Sequence, residues 1–157
     1  MTAGEAPNMQ VASDAPVGFA SQTVGAFVAA LGSSAPTPGG GAASALVGSL
    51  AVALVEMVAQ LTAGRPKYQT ADERAHAIIT RAQEVRDALL AGMDADARAY
   101  EGVASAYRLP RMTDDERARR DEAIQVALRA AMEPPLLVLR LSGEVVILAG
   151  EIAAIGN

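Results

Sequence analysis

Pro36-Thr37-Pro38-Gly39-Gly40-Gly41 runs without a break into Ala42-Ala43-Ser44-Ala45-Leu46-Val47-Gly48-Ser49-Leu50-Ala51-Val52-Ala53-Leu54-Val55, and the reading of this stretch decides the fold. Two prolines stiffen the approach and remove backbone donors, while three glycines accept dihedrals that a Cβ forbids and let backbone come close to a ligand or another helix. The residues that follow have almost no polar face. Such a segment predicts a central helix over about 42–63, buried on every side. At its N-terminus, orphan N–H groups and the helix dipole favour a negative or electron-rich group. A glycine turn in this place also serves purely structural ends, and from this stretch alone both readings stand.

Composition narrows the surroundings of that helix. The chain of 157 residues fits one domain with a sizeable core, and its 51% hydrophobic content includes only 3% aromatics. The core is therefore built from Ala, Leu, Val and Ile, which argues for closely packed helices instead of a sheet. With 13 basic against 18 acidic residues the net charge is -5, which disfavours nucleic acid or an anionic membrane as partner. The absence of cysteine excludes disulfides, thiol nucleophiles and cysteine metal sites, and the lone His76 cannot build a multi-histidine metal site. No metal site is expected. The N-terminus lacks the basic region of a secretory signal, so a cytoplasmic location is expected. Residues 42–63 approach the length of a bilayer span, but Glu56 and Gln60 interrupt them and small residues dominate, which favours a buried soluble helix over a membrane segment.

Residues 1–16, rich in proline and without periodicity, read as a flexible tail before a single helical domain over 17–157. Val17 to Leu31 reads as a short amphipathic helix ending at Gly32, and the central helix should stop at Gly64-Arg65-Pro66. Gly48 offers a small face for tight helix contact. Thr70-Ala71-Asp72-Glu73 reads as a capping box opening a long helix, and Thr113-Asp114-Asp115-Glu116 as a second. Pro134-Pro135 separates the latter helix from a last apolar one, Leu136 to about Ile155, in which Arg140 and Glu144 lie at pairing distance. Ile124, Leu128 and Ala131 are expected to point inward from the fourth helix. No stretch reads as a convincing strand. The expected fold is all-α, a bundle of about five helices around the Ala/Gly-rich one.

The apolar seam of the long helix runs Ile78 or Ile79, Ala82, Val85, Leu89, Met93, Tyr100, Val103 and Tyr107. Continued stepping from Met93 to Tyr100 places Asp96 on that stripe, whereas Asp94 turns roughly 200° from it. An inward acid either pairs with an arginine of another helix or carries proton chemistry, and spacing alone leaves both open.

Taken together, Pro36 to Gly41, Leu61-Thr62-Ala63-Gly64-Arg65-Pro66-Lys67-Tyr68, Asp94-Ala95-Asp96-Ala97-Arg98-Ala99-Tyr100, Tyr107-Arg108-Leu109-Pro110-Arg111, Pro135-Leu136 and Ile155-Gly156-Asn157 resemble, in order and spacing, the cyclodeaminase/cyclohydrolase family. That family includes the C-terminal domain of formiminotransferase-cyclodeaminase and single-domain bacterial methenyltetrahydrofolate cyclohydrolases. The resemblance covers essentially residues 17–157. It implies an all-helical homodimer binding a folate near the subunit interface, with an aspartate of the Asp-x-Asp-Ala segment, here Asp96, as catalytic acid/base. It also implies a tetrahydrofolate derivative as substrate and no prosthetic group.

The expected substrate-binding set is Gly39, Gly40, Gly41, Arg65, Lys67, Tyr68 and Asp94, the basic corner suiting the carboxylates of a folate tail. That corner also reads as a solvated helix C-terminus. The expected reaction is cyclodeamination of formimino-tetrahydrofolate to methenyl-tetrahydrofolate and ammonia, with hydrolysis of methenyl-tetrahydrofolate as alternative on the same site. A catalytically silent helical dimer, serving as binding or assembly module, is the remaining reading. Three departures motivate it: Ala42 stands where the family commonly has Ser, Glu56 where a small or apolar residue is expected, and the family pattern continues past Gly156-Asn157. A wall of the site and part of the dimer contact are expected in that continuation.

Overall fold

The structure, a computed structural model, describes residues 18–156, so the expected tail over 1–16 lies outside the described residues. Five α-helices follow one another: α1 Val24–Leu31, α2 Gly40–Thr62, α3 Asp72–Tyr107, α4 Asp114–Ala131 and α5 Glu133–Ile155. Short 3-10 turns occupy Phe19–Ser21 and Pro66–Ala71, and there is no strand among the described residues. The all-α expectation holds.

Helix α3 runs antiparallel to α2. At one end the Gly64 N–H donates to Asp72 Oδ1 at 2.6 Å, in the middle Gln83 and Arg86 donate to Glu56, and further along Leu89 packs on Gly48. Gly64, at φ 68, takes the left-handed conformation the α2–α3 turn requires. Helix α5 lies beside α2 in the same direction: Pro135 and Val138 border Gly40 and Gly41, Ser142 borders Gly48, and Gly156 meets Thr62. Helix α4 folds back on the far end of α3, where the Arg120 guanidinium lies 5.4 Å from the Tyr107 ring centroid.

The core is built as the composition required. Ala42, Ala45, Ala59, Ala75 and Ala82 are fully buried, and among them sit Val52, Ile78, Val85, Leu89 and Met93. Small side chains let α2 and α3 approach closely, and the larger ones fill the space between them and α5. Two ion-pair contacts tie α3 to α5 across the surface: Arg81 to Glu144, with Nε–Oε1 at 2.5 Å and Nη2–Oε2 at 2.8 Å, and Arg74 to Glu151.

Several expectations are corrected. Glu144 does not pair with Arg140, because Arg81 of α3 offers it a two-pronged guanidinium. The residues expected as one helix over 17–31 split at Thr23, whose hydroxyl accepts from the Ala26 N–H and starts α1 there. Thr70 does not cap α3. Residues 66–71 form a 3-10 turn led by Pro66, and Asp72 opens the helix while bonding back to Gly64. Thr113 does form its capping box with Glu116, as expected. Glu56 is a salt-bridge partner of Arg86 at 2.5 Å. Finally, α2 is not buried on every side: Val47, Leu50, Leu54 and Met57 form a continuous exposed stripe along it, joined by Leu139 and Val146 of α5. Helix α2 is also the one helix among the described residues long and apolar enough to cross a membrane.

Candidate active site

The glycine elbow is shorter than its sequence suggested, because Gly40 and Gly41 are already the first helical residues of α2 and only Gly39 lies outside as N-cap. A glycine N-cap has no side chain to satisfy the first N–H groups of the helix. Asp96, reaching across from α3, supplies the missing acceptor: its Oδ2 takes the Ala42 N–H at 3.1 Å. A carboxylate from one helix thus sits on the positive end of another. The closeness depends on position 41 being glycine, since a Cβ there would overlap the Asp96 carboxylate. Of the two readings left open by spacing, this contact does not bear out the arginine pairing. Among the described residues Asp96 has no arginine partner, and what it holds is backbone.

Seam stepping correctly brings Asp96 to the α2 side of α3, but the seam changes character beyond Met93. Tyr100 and Tyr107 are 46% and 53% exposed, whereas Met93 is 1% exposed. The reason is geometric: α2 begins at Gly40, so the part of α3 beyond Asp96 has no α2 to pack against. A cavity of about 480 Å³ opens there instead, with the glycine elbow, Pro36 and Thr37 on one side. Asp96, Ala99, Tyr100 and Val103 line it from α3, and Leu128 and Ala131 from α4. An acid, a tyrosine ring and a set of exposed backbone edges therefore face one small space. Among the lining residues that the sequence reading did not place at a site, Thr37 and Tyr100 are the ones with polar side chains. Tyr100 had a signal, since it is four residues from Asp96 and hence on the same face of α3.

The other expected site residues lie elsewhere. Asp94 does not line the cavity; its Oδ1 accepts the Phe19 N–H at 2.8 Å, and a Cβ on Gly18 would overlap its Oδ2. It fastens the N-terminal 3-10 turn to α3, where Phe19 and Phe27 meet edge to face with centroids 5.9 Å apart. Arg65, Lys67 and Tyr68 border a second cavity of about 390 Å³ together with Leu61 and Pro66. Lys67 Nζ donates to the Tyr68 hydroxyl at 2.9 Å. Within one chain the full 23-residue length of α2, about 33 Å, separates this corner from Asp96. The expected substrate-binding set is thus split into a glycine–aspartate end and a basic end.

A family model described as formiminotransferase-cyclodeaminase matches residues 23–157. The chain is 40% identical over 136 residues to a methenyltetrahydrofolate cyclohydrolase of Methylorubrum extorquens, an alignment covering 87% of this chain and 65% of that protein. It is 36% identical over 118 residues to the formimidoyltransferase-cyclodeaminase of Gallus gallus, covering 75% of this chain and 22% of that one. The solved structure of a formiminotetrahydrofolate cyclodeaminase from Thermotoga maritima matches with a TM-score of 0.75 at 29% identity, over 87% of this chain and 64% of that chain. This chain therefore spans just under two thirds of the cyclohydrolase and of the cyclodeaminase of known structure. A match over 23–157, with the same helical architecture in a solved relative, means that the chain belongs to the formiminotransferase-cyclodeaminase family.

Proposed function

We propose that this chain carries the acid/base half of a folate one-carbon site and catalyses the cyclodeamination of formimino-tetrahydrofolate. The observation that carries the reading is the Asp96 carboxylate at the mouth of a cavity of about 480 Å³, held against the glycine-led end of α2. In the substrate, N10 attacks the carbon of the protonated formimino group and forms the new C–N10 bond. Asp96 accepts the proton released from N10 and passes it to the NH₂ group, whose C–N bond then breaks to release ammonia. Charge is conserved, since an amidinium cation becomes the methenyl cation, and Asp96 ends as the carboxylate it began. That carboxylate also faces the positive charge of the product. The Tyr100 ring offers the bound heterocycle a flat neighbour.

Hydrolysis of methenyl-tetrahydrofolate is the second reading, favoured by the 40% identity to a protein named for that reaction. In it water forms a C–O bond at the same carbon and gives a proton to Asp96, the carbinolamine's hydroxyl proton moves to the ring nitrogen whose C–N bond breaks to leave the formyl product, and the proton on Asp96 is released to solvent. Both readings carry a second copy of the chain as partner, supported by the exposed apolar stripe of α2 and α5.

Methenyl absorbance tests and separates these. Appearance of methenyl signal with ammonia from formimino-tetrahydrofolate marks cyclodeamination, and its loss above buffer hydrolysis marks the cyclohydrolase. Asp96→Asn removes the proton acceptor and should lower turnover by about 10²–10⁴-fold with the fold intact. An Asp96→Asn variant as active as the parent ends this assignment.

A further inference from the structure

We propose that the Tyr100 hydroxyl selects which atom the reacting carbon carries: it donates a hydrogen bond to an oxygen there and finds no acceptor in an ammonium nitrogen, so it serves methenyl hydrolysis and not cyclodeamination. The inference rests on the folate reading and assigns a specificity-determining residue to that same site. It starts from the polar groups that the cavity offers. Besides the backbone of the glycine elbow, these are the Asp96 carboxylate and the hydroxyls of Thr37 and Tyr100, and the rest of the wall is apolar. Asp96 Oδ2 is already engaged by the Ala42 N–H. Among the described residues, Asp96 Oδ1 and the two hydroxyls have no hydrogen-bond partner, so all three are free for a ligand.

Helix geometry brings Tyr100 to the acid. Residues four apart on a helix stand one turn from each other, with about 5–6 Å between their Cβ atoms. Side chains lean toward the N-terminus of their helix, which directs the Tyr100 ring back over Asp96, just as Asp96 itself reaches the first turn of α2. Packing does not account for a tyrosine here, since nearly half of it is exposed. Thr37, in the segment ahead of α2, carries an aliphatic hydroxyl that donates and accepts alike and suits either atom. The more acidic phenol is foremost a donor. In the adduct of either reaction the carbon holds two ring nitrogens and one further atom. In cyclodeamination that atom is a nitrogen which leaves only once protonated, and as –NH₃⁺ it has no lone pair to accept the phenol O–H. In hydrolysis it is an oxygen. Water forms the C–O bond and gives a proton to Asp96; the adduct's hydroxyl proton then passes to the ring nitrogen whose C–N bond breaks, and the oxygen becomes the formyl carbonyl. As that proton leaves, negative charge gathers on the oxygen, and a donor held beside it stabilises the step. Tyr100 keeps its own proton throughout, and the balance is methenyl cation plus water to formyl product plus a proton, which Asp96 releases to solvent.

Tyr100→Phe removes the hydroxyl and keeps the ring, and the ratio of two activities in one preparation separates chemistry from damage to the fold. In this variant kcat/KM for methenyl-tetrahydrofolate should fall about fivefold to tenfold, the worth of one hydrogen bond, while formimino-tetrahydrofolate turnover stays within about twofold. A binding measurement gives the same answer without turnover. The probe is 5-formyl-tetrahydrofolate, which carries oxygen where the formimino substrate carries nitrogen on the same skeleton, and its inhibition constant should rise by the same factor. Equal losses on both substrates assign the effect to the ring or the fold and overturn the proposal, as does a variant unchanged on both. Thr37→Val, assayed alongside, overturns it too if that variant shifts the ratio more than Tyr100→Phe does. A wild type without turnover is judged by calorimetry with 5-formyl-tetrahydrofolate: weaker binding to Tyr100→Phe than to wild type sustains the contact, and equal binding overturns it. A wild type that neither turns over nor binds ends the folate reading itself, and the assignment of Tyr100 with it.

Discussion

A Cβ built on Gly41 would overlap Asp96 Oδ1 and its Cγ, so a methyl group and the capping carboxylate cannot both keep their places. Gly41→Ala should therefore push Asp96 off the Ala42 N–H without changing any charged or polar side chain. Overpacking of this kind costs about 1–3 kcal/mol, which a modest fall in thermal midpoint would register. Turnover should fall far more steeply than stability, and unchanged kinetics in Gly41→Ala would show that the contact has no catalytic weight. Asp96 itself was legible in the sequence because stepping by three and four residues is a property of any helix. Its partner was not, since periodicity gives a direction and says nothing of what stands opposite. The same gap hid Asp94, whose bond to the Phe19 N–H depends on a turn that no local pattern announced.

At the level of elements, the clearest sequence signals were the self-contained ones. Thr113 and Glu116 exchange backbone hydrogen bonds within four residues, so their capping box needs nothing from the rest of the chain and forms as read. Thr113→Ala should accordingly cost about 1 kcal/mol and fray the start of α4, visible as faster amide exchange there than in α2. The pattern at Thr70 has the same letters, yet Pro66 and the Asp72–Gly64 bond take the backbone another way. Arg140 and Glu144 fail for a related reason, because a neighbour on another helix displaces a local partner. The Arg81 guanidinium holds the Glu144 carboxyl below its ordinary value despite partial desolvation. A carboxyl depressed in the folded state contributes stability above its unfolded value, and that contribution is lost as pH falls through the folded value. Wild-type stability should thus decline more steeply than that of Glu144→Gln on acidification below about pH 4.5. Parallel urea midpoints across that range would check it, and equal slopes would mean the pair adds nothing measurable.

For the whole molecule, composition predicted helices and a small-residue core, and both are present because alanine and glycine set how closely α2 and α3 approach. The same composition misjudged α2 as enclosed. A hydrophobic count along one chain does not distinguish a face covered by another helix of that chain from a face open for a second chain. Leu54, 60% exposed on the α2 stripe, separates these cases. Leu54→Lys leaves the interior of a single chain untouched, since the side chain projects from it, so helical content and unfolding of the isolated chain should change by no more than about 0.5 kcal/mol. If two copies meet on this stripe, the same substitution places like charges in an apolar contact near the twofold axis and splits the assembly. Light scattering should then report half the mass of the wild type, with folate turnover falling at concentrations where the wild type is paired. Turnover lost in Leu54→Lys should return as protein concentration is raised, because mass action restores the pair without repairing any residue. A variant that stays paired and active would place the working interface elsewhere on the molecule.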